Sequence, residues 1–513
     1  MLKQKEIEEF PVPLEVSRVT QRLKKAGFKA YLVGGCTRDL IRSHEPKDWD
    51  IATNAVPEEI LNTFPNESFY ENKFGTVGVL NNNPVEKSDQ TGVDESLKVV
   101  EVTTFRLEGQ YSDKRRPDNV TFSKTIEDDL KRRDFTINSI AIDIDTEPVK
   151  DNTYKGYIID PFDGLKDIKD KIIRTVGKPH DRFSEDALRM LRAIRLVSEL
   201  DFEIDKDTIE GIRIYSNLLK EIASERIRDE FSRILMSDNP SKGLILSHKL
   251  GIIQYISKDL NETVNVEQNK AHKYDVWNHL LCAVEHSAKK KLSPEVRLAV
   301  LFHDIGKPAC RRWSKEKKDW TFHGHDVVGE RITIKNLQNL KFPAKTIDIV
   351  SKLVRWHMFF SDTEQITLSA VRRLVSNVGK ENIWDLMDVR MCDRIGTGRP
   401  KENPYRLRKY KSMIEQVMTD PISVSMLKIN GSKVMEVGKL SPGPKIGHIL
   451  HTLLEEVIED PLKNNEEYLT KRTIGLSSFD EKELKKLGEK AKESKQKVED
   501  KVIKEIRDKY FVE

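Results

Sequence analysis

Cysteine is scarce: Cys36, Cys282, Cys310 and Cys392 are the chain's four, and no two stand at C-x-x-C spacing. A disulfide scaffold and a structural zinc site are therefore not expected, and a reducing, cytoplasmic compartment is. Long apolar runs are missing too. Nowhere do the ~20 successive apolar residues of a membrane span occur. The opening MLKQKEIEEFPVP has no basic segment leading into an apolar stretch, so neither membrane insertion nor secretion is expected. An excess of one charge is also lacking. With 88 Lys and Arg against 84 Asp and Glu the net charge is +4, which excludes a polycation that coats nucleic acid unaided. Contact with nucleic acid has to come from local patches, such as the run from Arg106 through Lys114, Arg115 and Arg116 to Lys131, Arg132 and Arg133. Charge alone makes that run a solvated face. No repeat recurs at a solenoid period.

What is present is 37% hydrophobic and 34% charged residues over 513 positions, a globular composition too long for one core, so several domains are expected. Short apolar, β-branched runs crowd residues 1–150: YLVGG from Tyr31, DIAT from Asp50, FGTVGVL from Phe74, VVEVTTF from Val99 and SIAIDI from Ser139. Runs of this length read as buried strands, and the helical stretch before Tyr31 makes the segment α/β or α+β. Residues Asn81 to Ser96, rich in Asn, Asp and Gly, read as a loop joining two of the strands. From Ile168 onward the period turns helical. SEDALRMLRAIRLVSEL places Leu188, Leu191, Ile194, Leu196 and Val197 at helical spacing with Ser184 as N-cap, which predicts one amphipathic helix. From Glu481, Leu484, Leu487, Ala491, Val498, Val502 and Ile506 recur among Lys and Glu. They predict a solvated helix with one thin apolar stripe, with a coiled coil or an RNA contact as the alternative.

Two constellations carry chemistry. LVGGCTRDL sets Gly34 and Gly35 between a strand and a helix, where backbone N–H groups and a helix N-terminus can meet a triphosphate. In DWDIAT, Asp48 and Asp50 stand two apart, which on a strand puts both carboxylates on one face, repelling each other unless a cation lies between them. Glu101, acidic among apolar strand neighbours, supplies a third carboxylate. Mg²⁺ takes oxygen ligands and leaves room for substrate phosphates, so this set suits metal-assisted in-line nucleotidyl transfer, with Glu101 helping to activate the attacking hydroxyl.

The ordered set LVGGCTRD, DWDIAT, DKRRPDNV, RRDFTINSIAID, DPFDG and EDALRMLRAIR resembles the class II tRNA nucleotidyltransferases, the CCA-adding enzymes, and their relatives the bacterial poly(A) polymerases. The resemblance spans the first half of the chain. It implies a polymerase-β-type α/β (α+β) nucleotidyltransferase head over 1–150, followed by an all-α neck and body over 151–265 with nucleotide-selecting and RNA-binding parts, an HD region over 266–400 and a helical tail over 401–513. It implies that Gly35 and Arg38 contact the nucleotide's phosphates, that Asp48 and Asp50 bind Mg²⁺ with Glu101 as the third acid, and that Arg133, with Asp134 and Asn138, handles sugar and phosphates. It further implies that Glu185, Asp186, Ala187, Leu188 and Arg189 form the base-reading motif, Asp186 accepting from the amino group of C or A while Arg189 donates to the ring. On a helix those two are i and i+3 and share a face; Arg192 and Arg195 continue at that spacing toward the phosphates. The implied reaction is template-independent addition or repair of the 3′-terminal CCA of tRNA from CTP and ATP. EGQYSDKRRPDNV resembles the flexible loop of the enzymes that add CCA or A, which disfavours CC addition alone. FGTVGVL stands where the poly(A) polymerases carry a distinct basic stretch, which disfavours polyadenylation; addition of A alone stays open.

In the helical half, LFHDIGKP sets His303 beside Asp304, with His279 upstream in DVWNHL and Asp393 downstream in RMCDRIG. This set resembles the HD phosphohydrolase superfamily. His325 and His357 are placed to supply a second metal, and Lys307 to receive a phosphate. Imidazole suits transition metals, so Mn, Fe, Ni or Co is the expected ion. The competing function is thus a metal-dependent phosphohydrolase acting on phosphate esters or 2′,3′-cyclic phosphates, beside a reading in which the HD region serves only structure or tRNA binding. The helical body is expected to hold tRNA by shape and phosphate contacts.

Overall fold

Alternating apolar positions make the strands of the N-terminal region, and a computed structural model shows where each lies. It describes residues 5–72, 75–81, 97–108, 120–270, 272–359, 366–418 and 424–479. The strands are β1 (Lys5–Pro11), β2 (Ala30–Val33), β3 (Asp50–Thr53), β4 (Ser68–Asn72), β5 (Thr76–Leu80), β6 (Val99–Thr104), β7 (Arg106–Glu108), β8 (Val120–Phe122), β9 (Ala141–Ile144) and β10 (Thr153–Ile159). Eight of them form one sheet in the order β1-β10-β9-β2-β3-β6-β5-β4, and β7 with β8 make a separate ribbon. Within the sheet β3 and β6 are parallel; β2 and β3, and β5 and β6, are antiparallel. Helices α1 (Leu14–Lys25), α2 (Gly35–Ile41), α3 (Pro57–Thr63) and α4 (Ile126–Lys131) intervene. Tyr31, Val33, Ala52, Phe105, Ile126, Leu130 and Ala141 form one buried cluster beneath the strand ends that matter below.

The expected head boundary at 150 falls short. β10 pairs with β9 on one side and β1 on the other, burying Tyr154 and Ile158, so it is an interior strand of the head sheet. β1 was also unforeseen, because KEIEEFP carries its strand character only through pairing at the sheet edge. The Asn81 N–H donates to the Lys98 carbonyl at 2.9 Å and closes the β5–β6 ladder. Most of the loop between them lies outside the described residues. So do most of EGQYSDKRRPDNV and the helix expected from Glu481.

Next come α5 (Gly164–Asp170), β11 (Ile172–Ile173), α6 (Pro179–Glu185), α7 (Leu188–Leu200), β12 (Glu203–Ile204), α8 (Lys206–Tyr215), α9 (Ser224–Met236), α10 (Pro240–Lys249), α11 (Ile253–Ile256) and α12 (Lys258–Asn261). The single helix predicted from Ser184 is therefore two. Ser184 lies inside α6, and Asp186 is extended at φ −143, ψ 105. The Asp186 carboxylate accepts from Leu188 N–H at 3.0 Å, a local bond that competes with continuing the helix.

Two compact units result, the first comprising residues up to Val264 together with 288–294 and 335–343. The remainder is carried by α13 (Val276–Lys289), α14 (Pro294–Phe302), α15 (Lys307–Cys310), the hairpin β13 (Arg312–Ser314) and β14 (Asp319–Thr321), and then α16 (His325–Asn339), α17 (Ala344–Trp356), α18 (Leu368–Val378), α19 (Ile383–Gly396), α20 (Tyr405–Val417), α21 (Gly431–Gly438), α22 (Pro444–Glu459) and α23 (Glu466–Ser477). Outside the hairpin, the regular elements among the described residues of the second unit are helical, as expected. Val434, Ile449, Leu453, Val457 and Leu469 anchor its C-terminal core. No helix among the described residues is long and apolar enough to cross a membrane.

Candidate active site

β2 ends at Val33, and Gly34 follows at φ +83, ψ −135, a conformation that residues with a side chain avoid. It turns the chain into α2, whose first residue is Gly35. A Cβ on Gly34 would stand 3.0 Å from Asp50 Oδ2 and 3.1 Å from Arg133 Nη1. The turn, an acid and a guanidinium therefore converge on one point. Register adds the third acid, because parallel β3 and β6 set Asp50 opposite Glu101. Asp48 is not on the strand as expected: β3 begins only at Asp50, and Asp48 sits in an exposed bend anchored by the buried Trp49.

Asp48 nevertheless acts on the same field. Loss of hydration raises the Asp50 carboxyl; Arg133 opposes the rise, and Asp48 and Glu71 add to it. Loss of hydration, followed by repulsion from Asp50, Glu71 and Asp48, pushes Glu101 up to about 7. Glu71, on edge strand β4, was missed in the sequence because nothing in SFYEN marks it as more than a surface acid. Carboxylates crowded in this way leave a site short of positive charge, and an all-oxygen donor set matches a hard divalent cation. Among the described residues these acids do not close into a cage with ligand atoms within 4.8 Å of one another. Sites of this kind are completed by substrate phosphates.

Arg38 is buried, with Nε and Nη2 donating to the two Asp39 oxygens at 2.9 and 2.8 Å and Nη1 to Asn138 Oδ1 at 2.8 Å. Asn138 Nδ2 reaches Asp134 Oδ1 at 3.4 Å, and Asp134 Oδ2 pairs with Arg192 at 3.1 Å. These four side chains link the turn after β2 to helix α7. Burial would raise the Asp134 carboxyl, but Arg192 and Arg189 hold it below the usual carboxylate range. Arg133 is aimed by the buried Asp129, which it meets at 3.0 Å and which also binds Arg132 at 2.7 Å.

The expected base-reading pair is built differently from a shared helix face. Asp186 lies in the break between α6 and α7 and takes Arg226 of α9 two-pronged, at 3.2 and 2.7 Å. Arg189 pairs with Glu185 at 2.6 Å and donates to the carbonyls of Arg182 and Arg132 at 3.3 and 3.2 Å. Arg195, expected near phosphates, is instead buried between Glu199 at 3.0 Å and Glu230 at 2.7 Å. Glu230 also takes Arg192 at 3.4 Å, so Arg195 ties α7 to α9. Arg226 and Glu230 were missed because no local pattern connects α9 to the motif forty residues before it.

In the second unit the six predicted ligands do come together. His279 Nε2 stands 3.1 Å from Asp304 Oδ2 and 3.4 Å from Asp393 Oδ1, and His303 Nε2 stands 3.3 and 3.6 Å from the same atoms. His325 Nε2 and His357 Nε2 lie 3.2 and 3.6 Å from Asp304 Oδ1. Two groups with metal-ligand spacing result, His279 with His303, Asp304 and Asp393, and Asp304 with His325 and His357. His303, His325 and His357 each place Nδ1 2.7–2.8 Å from the carbonyl three residues back. That contact takes an N–H, which leaves Nε2 as the ring atom turned toward the acids, the arrangement of histidines that ligate metals. Nε2 of His325 and of His357 are buried with no hydrogen-bond partner. Burial opposes charge on His303, yet Asp304 and Asp393 outweigh it and push the imidazolium up to about 10. Lys307 meets Asp304 at 2.5 Å and Gln268 at 2.6 Å. A Cβ on Gly306 would stand 2.2 Å from the His325 carbonyl, so only glycine lets α16 deliver His325 this closely.

Comparison with known proteins adds to this geometry. Residues 30–174 match the family described as the poly A polymerase head domain, 201–263 the probable RNA and SrmB-binding site of polymerase A, and 311–472 tRNA nucleotidyltransferase domain 2. The CCA-adding enzyme of Ligilactobacillus salivarius is 32% identical over 454 residues, covering 88% of this chain and 93% of that protein. That of Limosilactobacillus reuteri is 44% identical over 250 residues, 48% of this chain and 56% of that protein. Among solved structures, the Bacillus stearothermophilus CCA-adding enzyme in complex with CTP is similar with a TM-score of 0.63 and 28% identity, over 90% of this chain and 96% of that one.

Proposed function

The chain belongs to the CCA-adding enzymes and builds the CCA end of tRNA from CTP and ATP, and we propose the following division of labour among its residues. Asp48 and Asp50 hold a divalent cation, for which Mg²⁺ is the fitting ion. That cation supplies charge neutralisation at the phosphates and a lowered pKa for the attacking hydroxyl. Glu101, balanced near neutrality, helps draw the proton from the tRNA 3′-hydroxyl. Gly34 and Gly35 leave the N-terminus of α2 open to the triphosphate, and Arg133 grips it beside Asp50. Arg38 acts as a positioning residue: three of its N–H groups are engaged, and through Asn138 it steadies Asp134 and Arg192 on the sugar and phosphate side.

Asp186 accepts from the exocyclic amino group that C and A share, and Arg189 donates to the ring nitrogen beside it; U and G present the opposite polarity there. Arg226 and Glu185 hold the two side chains in that orientation. A carboxylate offers about four acceptor sites, so the two bonds from Arg226 and the one from Leu188 N–H leave Asp186 a site on Oδ2 to accept from a base. The observation that carries this reading is the meeting of Asp50, Arg133 and the Gly34 turn, with Glu101 in register. The test supplies tRNAs ending at the discriminator base, C or CC with CTP and ATP, and sequences their 3′ ends. The wild type completes all three to CCA and stops. Asp50→Asn leaves all three unextended while tRNA binding persists; extension by that variant removes Asp50 from the mechanism.

The gathering of these histidines around Asp304, each with Nε2 turned toward the acids, favours a further reading. His279, His303, Asp304 and Asp393 hold one transition-metal ion and His325 and His357, with Asp304, a second, in an HD-type phosphohydrolase site. Such an ion supplies an activated water at neutral pH. Lys307 and Gln268 are placed to receive the phosphate of an ester or a 2′,3′-cyclic end.

A further inference from the structure

We propose that the hairpin β13–β14 is a docking strip for the 3′ end of single-stranded RNA. In β13–β14, Trp313 pairs directly with Trp320 across the ladder, so both rings lie on one face, in an edge-to-face contact with centroids 5.1 Å apart. Arg311 stacks its guanidinium 3.7 Å over Trp320, while its Nη2 meets the exposed Glu267 at 3.0 Å. Phe322 follows two positions after Trp320 and lies under Lys307, whose Nζ is 5.6 Å from the ring centroid and 2.5 Å from Asp304. The Phe322 carbonyl holds His325 Nδ1 at 2.7 Å. Along the chain the line thus runs from one aromatic and cationic group, Trp313, Trp320 and Arg311, to a second, Phe322 and Lys307, buried beside the His/Asp cluster.

The outer end of that line is open. Trp313 is 53% exposed, an uncommon place for an indole in a chain of 7% aromatic residues. The turn beyond it reads Lys315, Glu316, Lys317, Lys318, and Arg312 is exposed at its base. Asp319, the remaining acid, is spent on backbone: its Oδ2 accepts from Lys270 N–H at 3.1 Å and its Oδ1 from Trp320 N–H at 2.9 Å. Arg312 donates to the carbonyls of Ala309 and Arg311 at 3.4 and 2.7 Å, and an exposed ring beside a lysine-rich turn matches the repeat of a nucleic-acid single strand, a base to stack and a phosphate to neutralise. A duplex offers no free base to the ring, and an acidic peptide gains nothing from it. The strip accordingly leads a single-stranded end inward past Arg311 and Lys307 and presents its terminal phosphate to the cluster. That last step rests on the phosphohydrolase reading; docking itself does not.

The test uses the full-length protein and fluorescein-labelled hexamers of rA and rC ending in a 3′-phosphate, with binding followed by anisotropy and metal content by elemental analysis. Trp313→Ala, and separately the tip variant Lys315→Glu with Lys317→Glu, are expected to weaken hexamer binding about tenfold, with unchanged melting and unchanged metal content. Removal of the 3′-phosphate from the hexamer should then show a raised KM at unaltered kcat, while hydrolysis of p-nitrophenyl phosphate is untouched. Unchanged hexamer affinity in both variants overturns the strip. Equal weakening of AMP and hexamer overturns it as well, by making Trp313 a mononucleotide subsite. If the wild type holds no transition metal and releases no phosphate, the cluster reading fails, and tenfold weaker hexamer binding by Trp313→Ala still upholds the strip.

Discussion

Gly34 is the residue on which the head site turns. Its φ of +83 and its approach to Asp50 and Arg133 leave no room for a methyl group. Gly34→Ala is expected to cost about 1–3 kcal/mol of stability and, by pushing Asp50 and Arg133 apart, to lower CTP incorporation at least about tenfold. Thermal melting and a single-turnover assay read the two effects separately. Glu101 gives a prediction with a sign. Its carboxyl ionises near 7 when folded, against 4.5 unfolded, so between those values the folded chain binds more protons and loses stability as pH rises. Glu101→Gln should therefore melt higher than wild type at pH 8 and level with it at pH 4. Because the Glu101 side chain, though partly dehydrated by its neighbours, keeps much of its surface in water, the gain stays within about 1 kcal/mol, and Mg²⁺ should narrow it. An unchanged melting difference across that range would mean that the acids do not repel each other as described.

At the scale of elements, the proposed nucleotide choice depends on the break between α6 and α7. Asp186 can face a base because the helix stops there, and it is held by α9 through Arg226. Arg226→Ala is expected to relax selection, raising UTP and GTP incorporation relative to CTP by about tenfold, a loss of about 1.4 kcal/mol, with Arg226→Lys intermediate because lysine lacks the fork. Equal loss with all four nucleotides would assign Arg226 to folding alone. Glu230, between Arg192 and Arg195, should behave differently. Its replacement by Ala takes one of two acids from the buried Arg195, which keeps Glu199, and is expected to destabilise by about 1–3 kcal/mol, measured by denaturant unfolding. These contacts separate what was legible in the sequence from what was not. Strands β2, β3, β5, β6 and β9 and the glycine turn are local patterns, readable from period and residue type. The kink at Asp186, the reassignment of Arg195 and the partners on α9 are long-range, and a helical period over EDALRMLR conceals a break that one side-chain hydrogen bond creates. The hairpin β13–β14 was overlooked because RRWSKEKKDW reads as charge rather than as two three-residue strands.

Over the whole molecule there are two compact units, each with its own core, and the proposed division gives each its own chemistry. Chelation followed by Mg²⁺ alone should restore nucleotide addition without restoring transition metal, and His303→Ala should lose that metal while still completing CCA. Loss of addition in that variant at unchanged folding would refute the separation. The six cluster residues were readable one by one from the sequence, since each histidine and aspartate stands out in a helical context. Their sharing of Asp304 required the fold. The ladder between β3 and β6 has a consequence for how such chains diverge. Asp50 meets Glu101 through strand register, and the Asn81 to Lys98 bond seals the hairpin ahead of it. Lengthening a connection costs only about 0.6 kcal/mol per doubling. Descendants of this chain are therefore free to insert or delete residues between β5 and β6 without moving the two acids apart. The spacing of the two acids along the chain can thus change while their spacing across the sheet stays fixed by register.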